Sequence, residues 1–252
     1  LDSDEIEAIN ETVAEVYHRL IGTKNVGESA VAYLRKRGVS KQTVLRYQLG
    51  YAPNYWDWLS SHLGASETAA SGLANVHDGQ TYDLFRNRIM FPIVSGRGRV
   101  VGFGGRNLEE DEPKYLNSPD TPIFEKGRVL YGLPQAYEAI RRTGEMIVVE
   151  GYFDVVMANQ GGVENVVATL GTRFGDNHVR LAKAICDRVL FVYDQDEPGQ
   201  KARVEAMERA SLAGLSAAYS SLEPGMDPAS TVAESSGDAL RMQIESTRKL
   251  CA

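Results

Sequence analysis

The chain has 252 residues, 34 Asp and Glu against 27 Lys and Arg, a formal charge of -7, two Cys and four His. That length can bury a sizeable core in one large domain or two, and no apolar run or opening pattern marks a membrane span or a secretory signal. Cys186 and Cys251 lie far apart with no C-x-x-C spacing, and with scattered His they exclude a disulfide framework and a zinc signature, so a reducing cytosol is the default.

The first residue is Leu1, which predicts a piece of a longer protein. Ile6, Ile9, Val13, Val16 and Leu20 recur at helical spacing over 4–20, with Ser3 as the expected cap. A second helix is expected over 28–37, burying Val31 and Leu34. Arg35, Lys36 and Arg37 cluster at its C-terminal end and Gly38 stops it. Ser40 caps a third helix running to Leu49. Residues 51–58 read as a packed aromatic loop leading into a short helix, and 64–82 as a small helix and a surface loop. From 83 the pattern changes to a hairpin. Its strands are 89–94, where Pro92 demands an edge or bulged position, and 99–104, around a Ser95–Gly98 turn. An acidic loop follows over 107–122. Pro134 starts a helix through Arg142.

Beyond Gly144, apolar strands at 146–150, 165–170, 189–194 and 217–222 alternate with helices at 152–160, 176–186 and 198–213. This is the pattern of βαβ units on a parallel sheet. The expected division is 1–143, 144–238 and a helical tail 239–252.

Ligands of such sheets bind beyond the carboxyl ends of the strands. Glu150, Asp194 and Asp196 fall there. Residues i and i+2 of a strand share a face, so Asp194 and Asp196 can reach one cation or two neighbouring ones. Converging carboxylates repel unless a cation sits between them. Alone, the Asp pair reads more readily as solvated turn residues before Pro198. Asp154 serves equally as an offset to a helix dipole. Asp227, before Pro228, completes the acidic cluster or simply forms a turn. Gly171, after Leu170, permits a close backbone approach or is an ordinary turn.

Arg86, Arg88, Arg97, Arg99 and Arg106 lie within 22 residues that hold no carboxylate, from Phe85 to Arg106. They are a phosphate track or a solvated hairpin face, and the missing acids favour nucleic acid. Phe85, Phe91 and Phe103 read as core.

Several long stretches resemble the bacterial DnaG-type DNA primases, in that family's order, from about Ala30 to about Asp238. YLRKRGVSKQTVLRYQLGYAPNYWD is similar to its opening helices. FRNRIMFPIVSGRGRVVGFGGR and PKYLNSPDTPIFEKGRVLYGL are similar to its RNA-polymerase signature. VVEGYFDVV, ATLGT and VYDQDEPGQKA are similar to its TOPRIM segment. The resemblance implies an α/β protein: a mixed α+β N-terminal subdomain joined to a Rossmann-like TOPRIM sheet. It implies Mg²⁺ or Mn²⁺ held by Glu150, Asp154, Asp194, Asp196 and Asp227, with Glu150, Asp194 and Asp196 catalytic. It places template and nucleotides on Arg86, Arg88, Arg106, Lys114, Asn117, Lys126 and Lys201.

The implied activity is de novo synthesis of short RNA primers on single-stranded DNA from ribonucleoside triphosphates. It implies cytoplasmic, replisome-associated action, with no zinc in this segment and a replicative helicase met through a region outside it. Alternatives on the same acidic set are a TOPRIM nuclease or topoisomerase, or a silent DNA-binding scaffold. Departures from the family are Gln195 where it commonly has Gly, Gln200 where it has a basic residue, and Ala229 where it has a further acid.

Overall fold

The computed structural model describes residues 1–109, 113–193, 197–220, 222, 226–235 and 237–250. The chain forms two compact units, Leu1–Glu125 and Lys126–Ala252.

In the first unit, helices α1 (Ser3–Ile21), α2 (Glu28–Lys36) and α3 (Lys41–Arg46) precede strand β1 (Gly50–Ala52). Then come α4 (Trp58–Leu63), α5 (Ala65–Ala70), β2 (Ala74–His77), β3 (Gln80–Asp83), β4 (Arg88–Val94), β5 (Val100–Asn107) and β6 (Tyr115–Asn117). Asp2, rather than Ser3, caps α1, because its carboxylate accepts from Glu5 N–H and the Glu5 side chain bonds back to Asp2 N–H. In α2 Leu34 is buried as expected, whereas Val31 is 38% exposed; Ala30 takes the inward position instead. Ser40 caps α3, which ends at Arg46, short of Leu49.

The antiparallel sheet runs β1-β4-β5-β6. β4 is therefore internal, contrary to the edge position that Pro92 suggested. Pro92 is tolerated because β1 pairs only with Arg88–Met90, so no strand on that side asks for the missing N–H. A bulge lies nearby, at Ile93/Val94. α1 packs on β1 and β5, and Val13, Tyr17, Leu59, Leu73, Phe85, Met90 and Phe103 form the core. Gly50 permits the close approach of α1: a Cβ there would stand 2.7 Å from Tyr17. The expected surface loop over 64–82 contains the β2–β3 hairpin. Its two-residue turn is Asp78-Gly79, both at positive φ (50° and 73°).

In the second unit, a 3-10 turn (Lys126–Arg128) and β7 (Leu130–Tyr131) lead into α6 (Leu133–Thr143), β8 (Glu145–Val149), α7 (Tyr152–Gln160) and β9 (Val166–Thr169). The chain continues through α8 (Asp176–Ile185), β10 (Arg188–Phe191), α9 (Glu197–Leu212), β11 (Ser216–Tyr219), α10 (Pro228–Glu234) and α11 (Gly237–Leu250). The sheet order is β11-β10-β8-β9-β7, parallel except for β7. The second compact unit begins at Lys126, ahead of the expected division at 143/144, because β7 pairs with β9 and α6 packs on β8 and β9; the compact units alone do not decide that division. The expected tail is also part of the unit: Leu240 and Ile244 of α11 are buried.

β8 is buried at every residue, as strands covered on both faces require. Met146 and Val148 meet Val167, Val189, Phe191 and residues of α6, α8 and α9. α7, buried along nearly its whole length, packs on β9 and is covered by α10 and α11. Cys186 is buried; burial pushes its thiol up to about 11, so it stays protonated. Among the described residues no helix is long and apolar enough to cross a membrane.

Candidate active site

β8 lies between β9 and β10, and the chain leaves β8 and β10 toward opposite sides of the sheet. Such a reversal opens a crevice beyond the carboxyl ends of the two strands. Glu150 is the first residue after β8 and is partly buried. Main-chain pairing continues past β10, with Val192 N–H donating to Val148 O at 2.9 Å. Burial, and after it the charge of Glu150, push the Tyr193 phenol above its ordinary range. The Glu150 carboxylate thus stands beside the end of β10. Asp194 and Asp196 follow Tyr193 in sequence and lie outside the described residues.

Asp154 is in the first turn of α7 and 9% exposed. Its Oδ2 accepts from Gly151 N–H at 2.9 Å and its Oδ1 from Ala229 N–H at 3.4 Å. Asp154 therefore joins the N-termini of α7 and α10. Asp227 caps α10, taking Ser230 N–H at 2.6 Å on Oδ1. Both helix starts concentrate positive potential beside these carboxylates. The cap bonds leave lone pairs on each carboxylate, and an all-oxygen donor set suits a hard divalent cation. Among the described residues no three acidic, His or Cys side chains gather closely enough to hold an ion. Gly171 adopts φ 70°, so the turn there needs glycine, and the buried Thr172 hydroxyl has no partner among the described residues.

In the first unit two of the predicted arginines, Arg86 and Arg88, line a cavity of about 370 Å³ together with Asn54, Tyr82, Asn87 and Glu109 among others. Arg88 is buried and donates to the carbonyls of Pro113 (3.0 Å) and Gly105 (3.3 Å). Burial first, then the charges of Arg86 and Arg106, lower its pKa. Gly105 makes the room, since a Cβ there would stand 2.7 Å from Phe85 and 2.9 Å from Arg88. Arg106 is also buried; it lies over the rings of Tyr33 and Tyr115 and donates to the carbonyls of Asn107 (2.8 Å) and Lys114 (3.4 Å). Arg86 donates to Asp83 O, and its guanidinium stacks 4.5 Å over Trp56 and 5.9 Å over Tyr82.

A solvated Arg face thus does not describe Arg88 and Arg106. Phe85, Phe91 and Phe103 are core, as expected. Sequence reasoning missed Trp56 and Tyr82, although the Asp-Gly dipeptide at 78–79 signals the hairpin that carries Tyr82.

Arg99 belongs elsewhere: it pairs with Glu7 (3.2 Å) and Glu11 (3.8 Å) of α1, which supply the acids absent from its own segment. Lys114 is exposed just before β6 and Asn117 ends that strand, partly buried. In the second unit, Lys126 opens the 3-10 turn, partly buried, and Lys201 is exposed in α9.

Residues 16–137 match the family model of the DNA primase catalytic core, N-terminal domain, and residues 147–232 match a Toprim-like model. A DNA primase of Pseudomonas putida is 41% identical over 93% of this chain, and the chain spans 37% of that relative's length. A solved structure described as the DnaG primase catalytic domain bound to ssDNA is similar at TM-score 0.90 and 36% identity, over 96% of this chain and 78% of that one. A DNA primase domain from Pseudomonas aeruginosa matches at TM-score 0.90 and 38% identity, over the same 96% and 78%.

Proposed function

As this chain belongs to the DnaG-type DNA primase family, we propose that it is a primase catalytic core, making short RNA primers de novo on single-stranded DNA from ribonucleoside triphosphates. The observation that supports the reading is that Glu150 follows β8 directly while Asp154, in the first turn of α7, bonds Gly151 N–H and Ala229 N–H and so ties the start of α7 to the start of α10, which Asp227 caps.

Glu150, Asp154, Asp194, Asp196 and Asp227 would hold Mg²⁺ or Mn²⁺. When bound, the cation supplies charge neutralisation at the phosphate and a lowered pKa for the attacking hydroxyl. The 3′-oxygen of one nucleotide forms a bond to the α-phosphorus of the next; the bond from that phosphorus to the β-phosphate bridging oxygen breaks, and pyrophosphate leaves. Asp154, fixed by two main-chain N–H groups, keeps the Gly151 turn in shape and so orients Glu150.

In the first unit, Arg86, Arg88, Arg106, Lys114 and Asn117 contact the template backbone and nucleotide phosphates, with Trp56 and Tyr82 as stacking faces. Phosphate contacts of this kind position a strand without reading its sequence. Lys126 and Lys201 add cations in the second unit. The reaction belongs to DNA replication in the cytoplasm, with a replicative helicase met through another region of the parent protein.

The test is primer synthesis on single-stranded DNA with labelled ribonucleotides and Mg²⁺ or Mn²⁺. Glu150→Gln should reduce synthesis about 1,000-fold while leaving template binding intact. Synthesis at the parent rate would remove Glu150 from the mechanism. Running the same pair on a primed template separates failed initiation from failed chemistry. Cleavage without incorporation would point to a nuclease.

A further inference from the structure

The cavity of the first unit sets one acid beside its arginines. Glu109 lines it with Arg86 and Arg88 and is exposed, yet its carboxylate is aimed. Asn87 Nδ2 donates to Glu109 Oε1 at 2.8 Å, and Glu109 N–H donates to Asn107 Oδ1 at 3.1 Å. A carboxylate only accepts, which fixes the orientation of the Asn87 amide: its Oδ1 accepts from the hydroxyl of the buried Tyr51 at 3.1 Å. Asn87 is left-handed, at φ 51°, a conformation that Asn adopts more readily than most side chains. Its carbonyl accepts from Leu108 N–H at 3.0 Å. Main chain and side chain of one residue, placed between the two arginines, thus hold the segment that carries Glu109. Glu109 Oε2 has no partner among the described residues.

The rest of the wall is amide and aromatic. Asn75 lies directly opposite Tyr82 in the β2–β3 register, so the two share a face of the hairpin, and both line the cavity with Asn54. Tyr82 stacks on Trp56 at 5.1 Å. A phosphate needs only cations. Rings and amides beside a fixed acceptor meet the needs of an unpaired base, which has a face to stack and an edge to bond. Cytosine, adenine and guanine each carry an exocyclic amino group that donates. Thymine offers only its ring N–H, flanked by two carbonyl oxygens that would stand against the carboxylate. The incoming nucleotide and the template base that pairs with it must each vary over all four bases, so a selective cavity serves neither. It suits a neighbouring base of the template.

We propose that Glu109, held by Asn87, is a specificity-determining residue: it accepts the amino group of one unpaired template base and disfavours thymine there, and so biases where synthesis starts. The inference rests on the reading of this cavity as a template site.

The test is equilibrium binding of this chain to a short oligo(dT) strand and to the same strand with one central dC, dA or dG. Glu109→Gln keeps the volume and an oxygen for Asn87 but turns a donor toward the base. The parent should bind the three amino-bearing strands about fivefold more tightly than oligo(dT). The Gln variant should bind all four alike, at or above the parental affinity for oligo(dT), because a negative charge has left the cavity. Equal parental binding to the four strands overturns the proposal, as does a preference that persists in Glu109→Gln. A Gln variant weakened equally on all four strands also overturns it, making Glu109 a structural tie. Arg86→Ala checks the underlying reading on oligo(dT) alone. Weaker binding there keeps the template site, whatever the base series shows; parental binding removes the site and the proposal with it.

Discussion

The acidic edge of the second unit and the basic cavity of the first hold their charges by different means. Glu150, Asp154 and Asp227 stand where strands end and helices begin, so connectivity alone brings them to one edge, and main-chain N–H groups steady two of them. Arg86, Arg88 and Arg106 are set by side-chain packing. Carbonyls from other segments, the rings of Trp56, Tyr82, Tyr33 and Tyr115, and the absence of a side chain at Gly105 hold them in place. A site made by topology survives small errors in packing; a site made by packing depends on each neighbour.

Asp154 gives the largest contrast. Asp154→Asn keeps an oxygen for the Gly151 N–H, whereas Asp154→Ala loses both bonds. The Ala variant should lose about 1–2 kcal/mol of stability, seen as a lower urea midpoint, and the Asn variant much less. Primer synthesis should fall roughly 10- to 100-fold in both, since only the carboxylate can hold a cation. An Asn variant with parental synthesis would reduce Asp154 to a helix cap and leave the acidic edge without one of its supposed ligands.

These two kinds of site also differ in how far sequence shows them. The strands and helices from β8 to β11 fall close to their expected limits, because apolar runs of strand length alternate with helical patterns and the turns carry glycine. Once the sheet is known, the place of Glu150 follows. The first unit offers no such rule. Trp56 reaches Arg86 because the loop before α4 folds back, with Asp83 N–H bonded to Trp56 O at 2.9 Å, and no local pattern encodes that return. The place of Pro92 likewise depends on the length of β1. β7 is also too short to read as a strand, yet its pairing with β9 binds residues 126–143 to the second unit.

Trp56 tests the packed site. It is 59% exposed with Arg86 over its ring, so Trp56→Ala should change stability by less than about 0.5 kcal/mol. If a template base stacks there, affinity for single-stranded DNA should fall about 5- to 100-fold, the range of base–aromatic stacking. Parental affinity would confine the rings to holding Arg86 and exclude them as a base platform.

The smallest effect separates two arginines that sequence treats alike. Arg86 faces the cavity, while Arg99 is 49% exposed and occupied by Glu7 and Glu11. Replacing Arg86 with Ala should weaken template binding and flatten its salt dependence by about 0.7 in log–log slope, the contribution of one phosphate contact on a single strand. Replacing Arg99 with Ala should leave both unchanged. Its cost should appear in stability, at about 0.2–1 kcal/mol, and shrink as salt screens the half-exposed pair. A salt slope lowered equally by both substitutions would restore a continuous phosphate track along the hairpin. It would also mean that the Glu7 pair opens when DNA binds. A slope lowered by Arg86→Ala alone confines template contact to the cavity and makes Arg99 a tie between the hairpin and α1.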